Sequence, residues 1–427
     1  FVIKPRGWTY QERKGIPQVS MRRPGEGTSP LDFYFRPQQE HDTFEVALLA
    51  DSQAANATEL GYVDFEMARC FSRHDFAFAI NHGDVMGDDL SLMVPYKKIL
   101  ERTGLLWHHC PGNHDMDLAS TSNDGAFDTW KRQIGPAYYA FQYANATFIL
   151  LNNVEYLGAG AAPVDGRLYR GRIGDEQLAF VRNVLTHVSK DSLVVVCVHI
   201  PLVSFENPNA PGDNTCDCRE LMALLSDFPH TVSFAGHSHT TEHHYLGADH
   251  GVGGDTLHHH HVLTAFCGSW WSGPLNSDNI PVSDSRDGSP RGYHVLRIEG
   301  ISYRTRFIPV GNGNMEAARL GVEASRHPAA ASSERLMTVD VFDGGPKTQI
   351  HCRLPGSAES MVMMRAAICD PHIVETFARY RPLLKPWVSA SPSSHMWTAS
   401  VPAEARGECV LEIINEYGVE QKLVAQI

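Results

Sequence analysis

The chain has 427 residues, more than one ordinary core accommodates, so two or three domains are expected. Hydrophobic residues make up 43% and charged residues 20%, the balance of a globular protein, and no apolar run reaches the roughly 18–20 residues of a membrane-spanning helix. The formal charge of −13 excludes a bulk electrostatic grip on nucleic acid or on an anionic membrane. It leaves room for an anionic small-molecule or headgroup substrate where metal ions reverse the local field.

Residues 1–43 carry Pro, Gly and Arg without periodicity and read as an extended N-terminal arm. Phe1, not Met, opens the chain, so no targeting segment is read in or out. From Phe44 the pattern becomes that of an α/β domain over 44–312. Apolar strands are expected at Phe44–Ala50, Phe76–Asn81, Leu105–His109, Tyr138–Tyr143, Thr147–Asn152, Leu193–Val198 and Thr231–Ala235. Helices are expected around Leu60–Ser72, Leu90–Arg102 and Asp175–Val188, the last with Asp175 as N-cap. Residues 313–334 read as a linker. Strand runs divided by turn residues then predict a small all-β sandwich over 335–427.

Five short motifs each follow a strand: Ala50-Asp51-Ser52-Gln53, His82-Gly83-Asp84-Val85-Met86-Gly87-Asp88, Pro111-Gly112-Asn113-His114-Asp115, Val198-His199 and Gly236-His237-Ser238-His239. Ligands of open α/β sheets bind at the carboxyl ends of strands, so loops from separate strands would bring these side chains together. Two carboxylates, one Asn, one Gln and three imidazoles offer mixed oxygen and nitrogen donors with no thiolate, which argues against a structural zinc site. Seven donors exceed the needs of one hydrated ion and suit two ions about 3.5–4 Å apart. The nine cysteines are scattered. Cys216 and Cys218 flank a single residue, too close for a relaxed disulfide, and the thiols read as free.

In this order the motifs resemble those of the calcineurin-like metallophosphoesterases: D-x-H, G-D-x-x-x-D, G-N-H-[DE], a lone His and G-H-x-H. The resemblance implies a β-sandwich flanked by helices (α/β/β/α) and a phosphomonoester or phosphodiester hydrolase with two divalent metal ions. One ion would be held by Asp51, Gln53, Asp84 and His239, the other by Asp84, Asn113, His199 and His237, with Asp84 bridging. Gln53 departs from the family's more usual His. Its neutral amide oxygen tilts the expectation, among Mn, Fe, Zn and Mg, toward manganese. A metal-bridging hydroxide would be the nucleophile, with His114 as general acid to the leaving group. Asp88 would orient His114 or cap the following helix. Asp115 would fix its loop or touch substrate.

A narrower resemblance lies in Thr240–Gly247, His258–His261, Gly268–Gly273 and Asp287–Tyr293. These look like a bacterial branch with a calcineurin-like phosphoesterase C-terminal domain, which favours an exported or periplasmic protein. Many members of that branch carry a small β domain upstream, for which residues before Phe44 leave no room. Asn113, Arg219 and Trp271 are the substrate-contact candidates. Arg219 would clamp a phosphate or be a solvated helix-start residue. Of Trp270 and Trp271, one ring would be core and the other would wall the pocket. Four successive histidines cannot all face one ion, because strand side chains alternate. One or two would face the catalytic pocket, or the run is structural. The C-terminal domain would be a lid, a pocket wall, an oligomer contact or a binder of surface polymer. The rival from another class is a metal-bound scaffold without turnover, and a second rival is the protein-phosphatase branch.

Overall fold

The computed structural model describes residues 3–19, 33–72, 75–311, 318–324 and 334–427. Two sheets stack face to face. One runs, in spatial order, Ser302–Pro309, Gly292–Glu299, Thr43–Leu49, Phe78–Asn81, Trp107–His109, and its last three strands are parallel. The other runs Glu242–Leu246, His258–Val262, Thr231–Ala235, Leu193–Cys197, Ala146–Leu150, Tyr139–Tyr143, with four parallel strands between antiparallel edges.

Strand alternation explains the four layers. Val46, Leu48 and Ala50 point between the sheets with Phe78, Phe148, Val195 and Phe234. Ala47 and Leu49 point outward onto Val63, Met67, Met93 and Leu100 of the helices Ala57–Phe71 and Met93–Thr103. On the far side Val194 and Val196 meet Val181, Leu185 and Leu221 of the helices Asp175–Leu185 and Cys218–Leu225. Buried on both faces, these strands read as continuous apolar runs rather than alternating ones. The α/β/β/α arrangement is therefore present.

The C-terminal part packs two four-stranded antiparallel sheets around Met337, Val339, Ile350, Trp397, Leu411 and Ile413. Its first strand, Ala318–Ala324, pairs with Glu334–Val341 and falls inside the stretch expected to be linker, so that expectation is corrected. The cause is length: the run is too short and Gly-interrupted to stand out, and cross-strand pairing forms it. Two other elements were not expected, the strand Glu420–Gln426 and the helix Pro371–Arg379, whose Asp370 cap bonds the His372 amide. Asp175 is not an N-cap. Gly174 holds that position, and the Asp217 carboxylate accepts the amides of Ile173 and Gly174. The N-terminal arm is anchored through Ile16, packed in the helix-side core, and through Lys4, whose carbonyl accepts the Gln142 amide at 2.8 Å. Residues 20–32 of the arm and 312–317 and 325–333 of the expected linker lie outside the described residues.

Buried polar contacts dock the C-terminal domain. His395 sits between Asp287 (2.9 Å) and Asp340, all three buried. The carboxylates outweigh the burial that would neutralise His395 and raise its pKa well above the usual imidazole value. Tyr245 donates to Glu416 and Lys385 pairs with Glu59 across the same junction. No helix among the described residues is long and apolar enough to cross a membrane. All nine cysteines are unpaired.

Candidate metal centre

Asp51, Asp84 and Asn113 leave the carboxyl ends of three neighbouring parallel strands of the first sheet. His199, His237 and His239 leave two of the second. The loops are tight. Asp51, Gln53, Asp84, His237 and His239 all have left-handed φ, at 53°, 37°, 48°, 77° and 55°. Such non-glycine positions cost on the order of 1–3 kcal/mol each and persist only where surroundings enforce them. Glycine is required at Gly112, where a Cβ would lie 2.1 Å from Asp84 Oδ1, and at Gly236, where it would lie 2.5 Å from Asp51 Oδ2.

The side chains converge. His199 Nε2 lies 3.0 Å from Asn113 Oδ1 and 3.3 Å from Asp84 Oδ1. His239 Nε2 lies 3.6 Å from Asp51 Oδ1. Asp84, His199 and His237 offer ligand atoms within 4.8 Å of one another. The backbone sets each ring. His199 Nδ1 donates to the His82 carbonyl (2.8 Å), His239 Nδ1 to Gly268 (2.6 Å) and His237 Nε2 to Gly212 (3.0 Å). A carbonyl only accepts, so each contact fixes the tautomer and leaves the opposite nitrogen's lone pair for an ion. Behind His237, Asp213 accepts from the same Nε2 at 3.3 Å and is itself paired with Arg167.

The electrostatics ask for a cation at this point. Burial, then proximity to Asp84, pushes the Asp51 carboxyl up to about 7, although His199 opposes the rise. Burial would also raise Asp84, but His199 and His114 outweigh it and hold it below the carboxylate range. His199 is up at about 9 because Asp84 and Asp51 overcome its burial. His239, buried, is down at about 3 and presents a neutral ring. Two buried carboxylates that share one imidazolium are what divalent ions would stabilise with every histidine neutral. The donor set fits two hard-to-borderline ions.

Gln53 is brought to the site but turns its amide nitrogen toward Asp84 Oδ2 (3.5 Å) and its oxygen toward Cys267 Sγ (3.9 Å). A ligand Gln needs the reverse orientation. His114 is not among the converging donors. Its backbone N–H bonds Asp84 and its Nδ1 lies 2.8 Å from Asp88 Oδ1. Asp88 is thus the partner of His114, and the following 3₁₀ turn is capped by Asp89. Asp115 fixes the loop: its carboxylate accepts the amides of Val85, Met86 and Gly112.

Two substrate-contact expectations are corrected. Arg219 lies exposed on the helix Cys218–Leu225 and donates to the Asp249 carbonyl, bracing the turn there. Trp271 is 4% exposed, packs in the helix-side core and donates Nε1–H to the Ser52 carbonyl at 2.9 Å. The ring that reaches the site is Trp270, stacked on His239 with centroids 4.1 Å apart, with Trp387 of the C-terminal domain edge-on beyond it. The His258–His261 run does not enter the site. His258 and His260 bond Ser233 on one face of their strand, and on the other His259 meets Tyr303 of the first sheet and His261 meets Asp343 of the C-terminal domain.

Asn153 was missed. Its Oδ1 accepts the amides of His199 and Ile200 (3.1 Å each), and its Nδ2 donates to the Ile200 carbonyl. Its position just after a parallel strand is the signal that could have found it. Asp213 and Arg167 come from long loops whose sequence carries no such mark.

Comparison with known proteins adds one family. Residues 260–420 match the model described as the C terminal of calcineurin-like phosphoesterase. The match begins in the sandwich and runs through the C-terminal domain, so it rests on residues other than the five ligand motifs. No curated protein matches. Among solved structures, a purple acid phosphatase, PPD1 from yellow lupin (Lupinus luteus) seeds, is similar with a TM-score of 0.45 and 14% identity over 65% of this chain. This chain spans 53% of that one, about half its length, and a likeness at that level carries no argument.

Proposed function

We propose that this chain is a dinuclear metal-dependent phosphoesterase acting on phosphomonoesters or phosphodiesters. The observation that carries the reading is the convergence of Asp51, Asp84, Asn113, His199, His237 and His239 with every imidazole tautomer fixed by a backbone carbonyl. Asp51, Asp84 and His239 would hold one ion, with Gln53 after its amide turns. Asp84, Asn113, His199 and His237 would hold the other. When bound, the ions supply a water nucleophile ionised near neutral pH and neutralise charge developing on the phosphoryl oxygens. Manganese is the favoured metal, because four of the seven expected ligand side chains, Asp51, Gln53, Asp84 and Asn113, are oxygen donors.

His114 serves as the general acid. Burial would lower its pKa, but Asp84 and Asp88 outweigh that and bring it to about 9. Asp88 keeps acting on Nδ1 once ions neutralise Asp84, leaving Nε2–H to donate to the leaving alkoxide. Trp270 forms a flat wall beside His239 on which a base, sugar or headgroup can rest. The test is hydrolysis of bis-nitrophenyl against mono-nitrophenyl phosphate by metal-stripped protein resupplied with manganese. Turnover of either supports the reading, and the ratio separates diesterase from monoesterase. Metal uptake without turnover of either leaves the scaffold instead.

A further inference from the structure

A second cluster of ligand-type side chains lies outside the centre described above. His243 and His261 are direct cross-strand partners on the edge pair of the second sheet, so their side chains share one face. Their rings stack with centroids 3.9 Å apart. Asp343 comes to meet them from the C-terminal domain, just past the strand Glu334–Val341. Its Oδ1 lies 3.1 Å from His243 Nε2 and 2.9 Å from His261 Nε2. A third imidazole, His294 of the first sheet, puts its Nε2 3.1 Å from the same oxygen. All three histidines are fully buried or nearly so, and Asp343 holds a left-handed φ of 68° to reach them.

Hydrogen bonding accounts for only part of this arrangement: Asp343 Oδ1 accepts from Nε2 of His243 and of His294, and His261 is left over. His261 is completely buried, yet neither of its ring nitrogens has a hydrogen-bond partner. Its Nε2 is close to Asp343 but not aligned to donate to it. Buried polar atoms are nearly always satisfied, and an exception calls for an explanation. His261 Nε2 and Asp343 Oδ1, 2.9 Å apart without a shared hydrogen, have lone pairs converging on a point between them. Tetrahedral ligand atoms at about 2.0–2.1 Å from zinc stand in that relation. The surrounding contacts suit it. His243 Nδ1 meets His259 Nε2 at 2.9 Å, and His259 Nδ1 meets the Tyr303 hydroxyl at 2.9 Å. Without an ion, His243 Nε2–H donates to Asp343; with one bound, passing the N–H outward along this chain would free the His243 Nε2 lone pair for it. A cleft of about 470 Å³ at the edge of the domain junction has His243, His244, Tyr245 and Arg365 in its wall and gives an ion a way in.

We propose that His243, His261 and Asp343 form a second metal site, for one zinc-class divalent ion, which ties the C-terminal domain to the catalytic sandwich. His294 is the nearest further donor. Three nitrogens and one oxygen without a thiolate suit zinc better than manganese or magnesium, in contrast to the oxygen-richer loop centre. The site shares no residue with that centre and does not depend on turnover there.

The experiment loads the full chain with zinc, removes loose metal by gel filtration, and measures bound zinc in Asp84→Asn with and without His261→Gln. Zinc-edge anomalous diffraction from wild-type crystals locates the ions without any substitution. About one equivalent lost on adding His261→Gln, with an anomalous peak between His243, His261 and Asp343, is the expected result. Zinc content unchanged by His261→Gln, or no anomalous peak at the cluster, overturns it and leaves three imidazoles sharing one carboxylate. His261→Gln in the otherwise wild-type chain should retain phosphoesterase turnover, so loss of this site and failure of the phosphoesterase reading are separate outcomes.

Discussion

The loop-borne centre and the strand-borne histidine clusters use the same residue types for opposite ends. Asp51, Asp84, His237 and His239 sit on strained, left-handed turns at strand ends, where backbone carbonyls fix the rings. His243, His261 and His395 sit on or beside regular strands, buried between the sandwich and the C-terminal domain. Strained loop backbone belongs with chemistry, and regular strand geometry belongs with docking. Substitutions in the first region should therefore cost turnover with little stability, and those in the second should do the reverse.

The sharpest break of this contrast is Asp84→Asn. It should lower kcat/KM by a factor on the order of 10³ or more while the melting temperature stays near wild type, as activity assays and calorimetry would read. A large stability loss with turnover intact would reverse the assignment. His114→Ala should keep the metal content and lose a factor of roughly 10²–10⁴ with an alkyl leaving group. With nitrophenolate, which needs no proton, the loss should be smaller. Equal loss with both would remove His114 as the acid.

On the docking side, His395→Gln leaves Asp287 and Asp340 without their cation and should cost about 3–5 kcal/mol in denaturant unfolding. The pH dependence has a definite sign. The folded-state pKa of His395 is raised, so its contribution is fully present below about 6.5 and is lost as pH rises through the folded value. The gap between wild type and His395→Gln should close on going alkaline, and a gap that widens would contradict the ion triad. Asn153→Ala falls between the two patterns of effect. It frees the amides of His199 and Ile200 and should cost about 1–3 kcal/mol together with some turnover.

Much of the first region was legible because its chemistry is local. Asp51, Asp84, Asn113, His199, His237 and His239 each stand immediately after an apolar strand, and parallel strands in an α/β sheet put such positions at one end. The helix and strand runs of the sandwich were legible for the same reason, since both faces are buried and the apolar runs are unbroken. What could not be read depends on long-range pairing. Trp270 and Trp271 are adjacent, and the Ser52 carbonyl, with Tyr62, Phe266 and Arg291 around the ring, decides which one turns inward. The His258–His261 run looks like a metal motif in sequence, but its two faces acquire different partners from strands and a domain far along the chain. The strand Ala318–Ala324 exists because Glu334–Val341 offers it an edge.

The most direct test of the central claim is metal-dependent phosphoester hydrolysis by the chelator-stripped wild-type chain beside Asp84→Asn. The account predicts that manganese restores turnover of a nitrophenyl phosphoester to the wild type and not to the variant. Equal turnover by both proteins, or none by the wild type with any divalent ion, would contradict it.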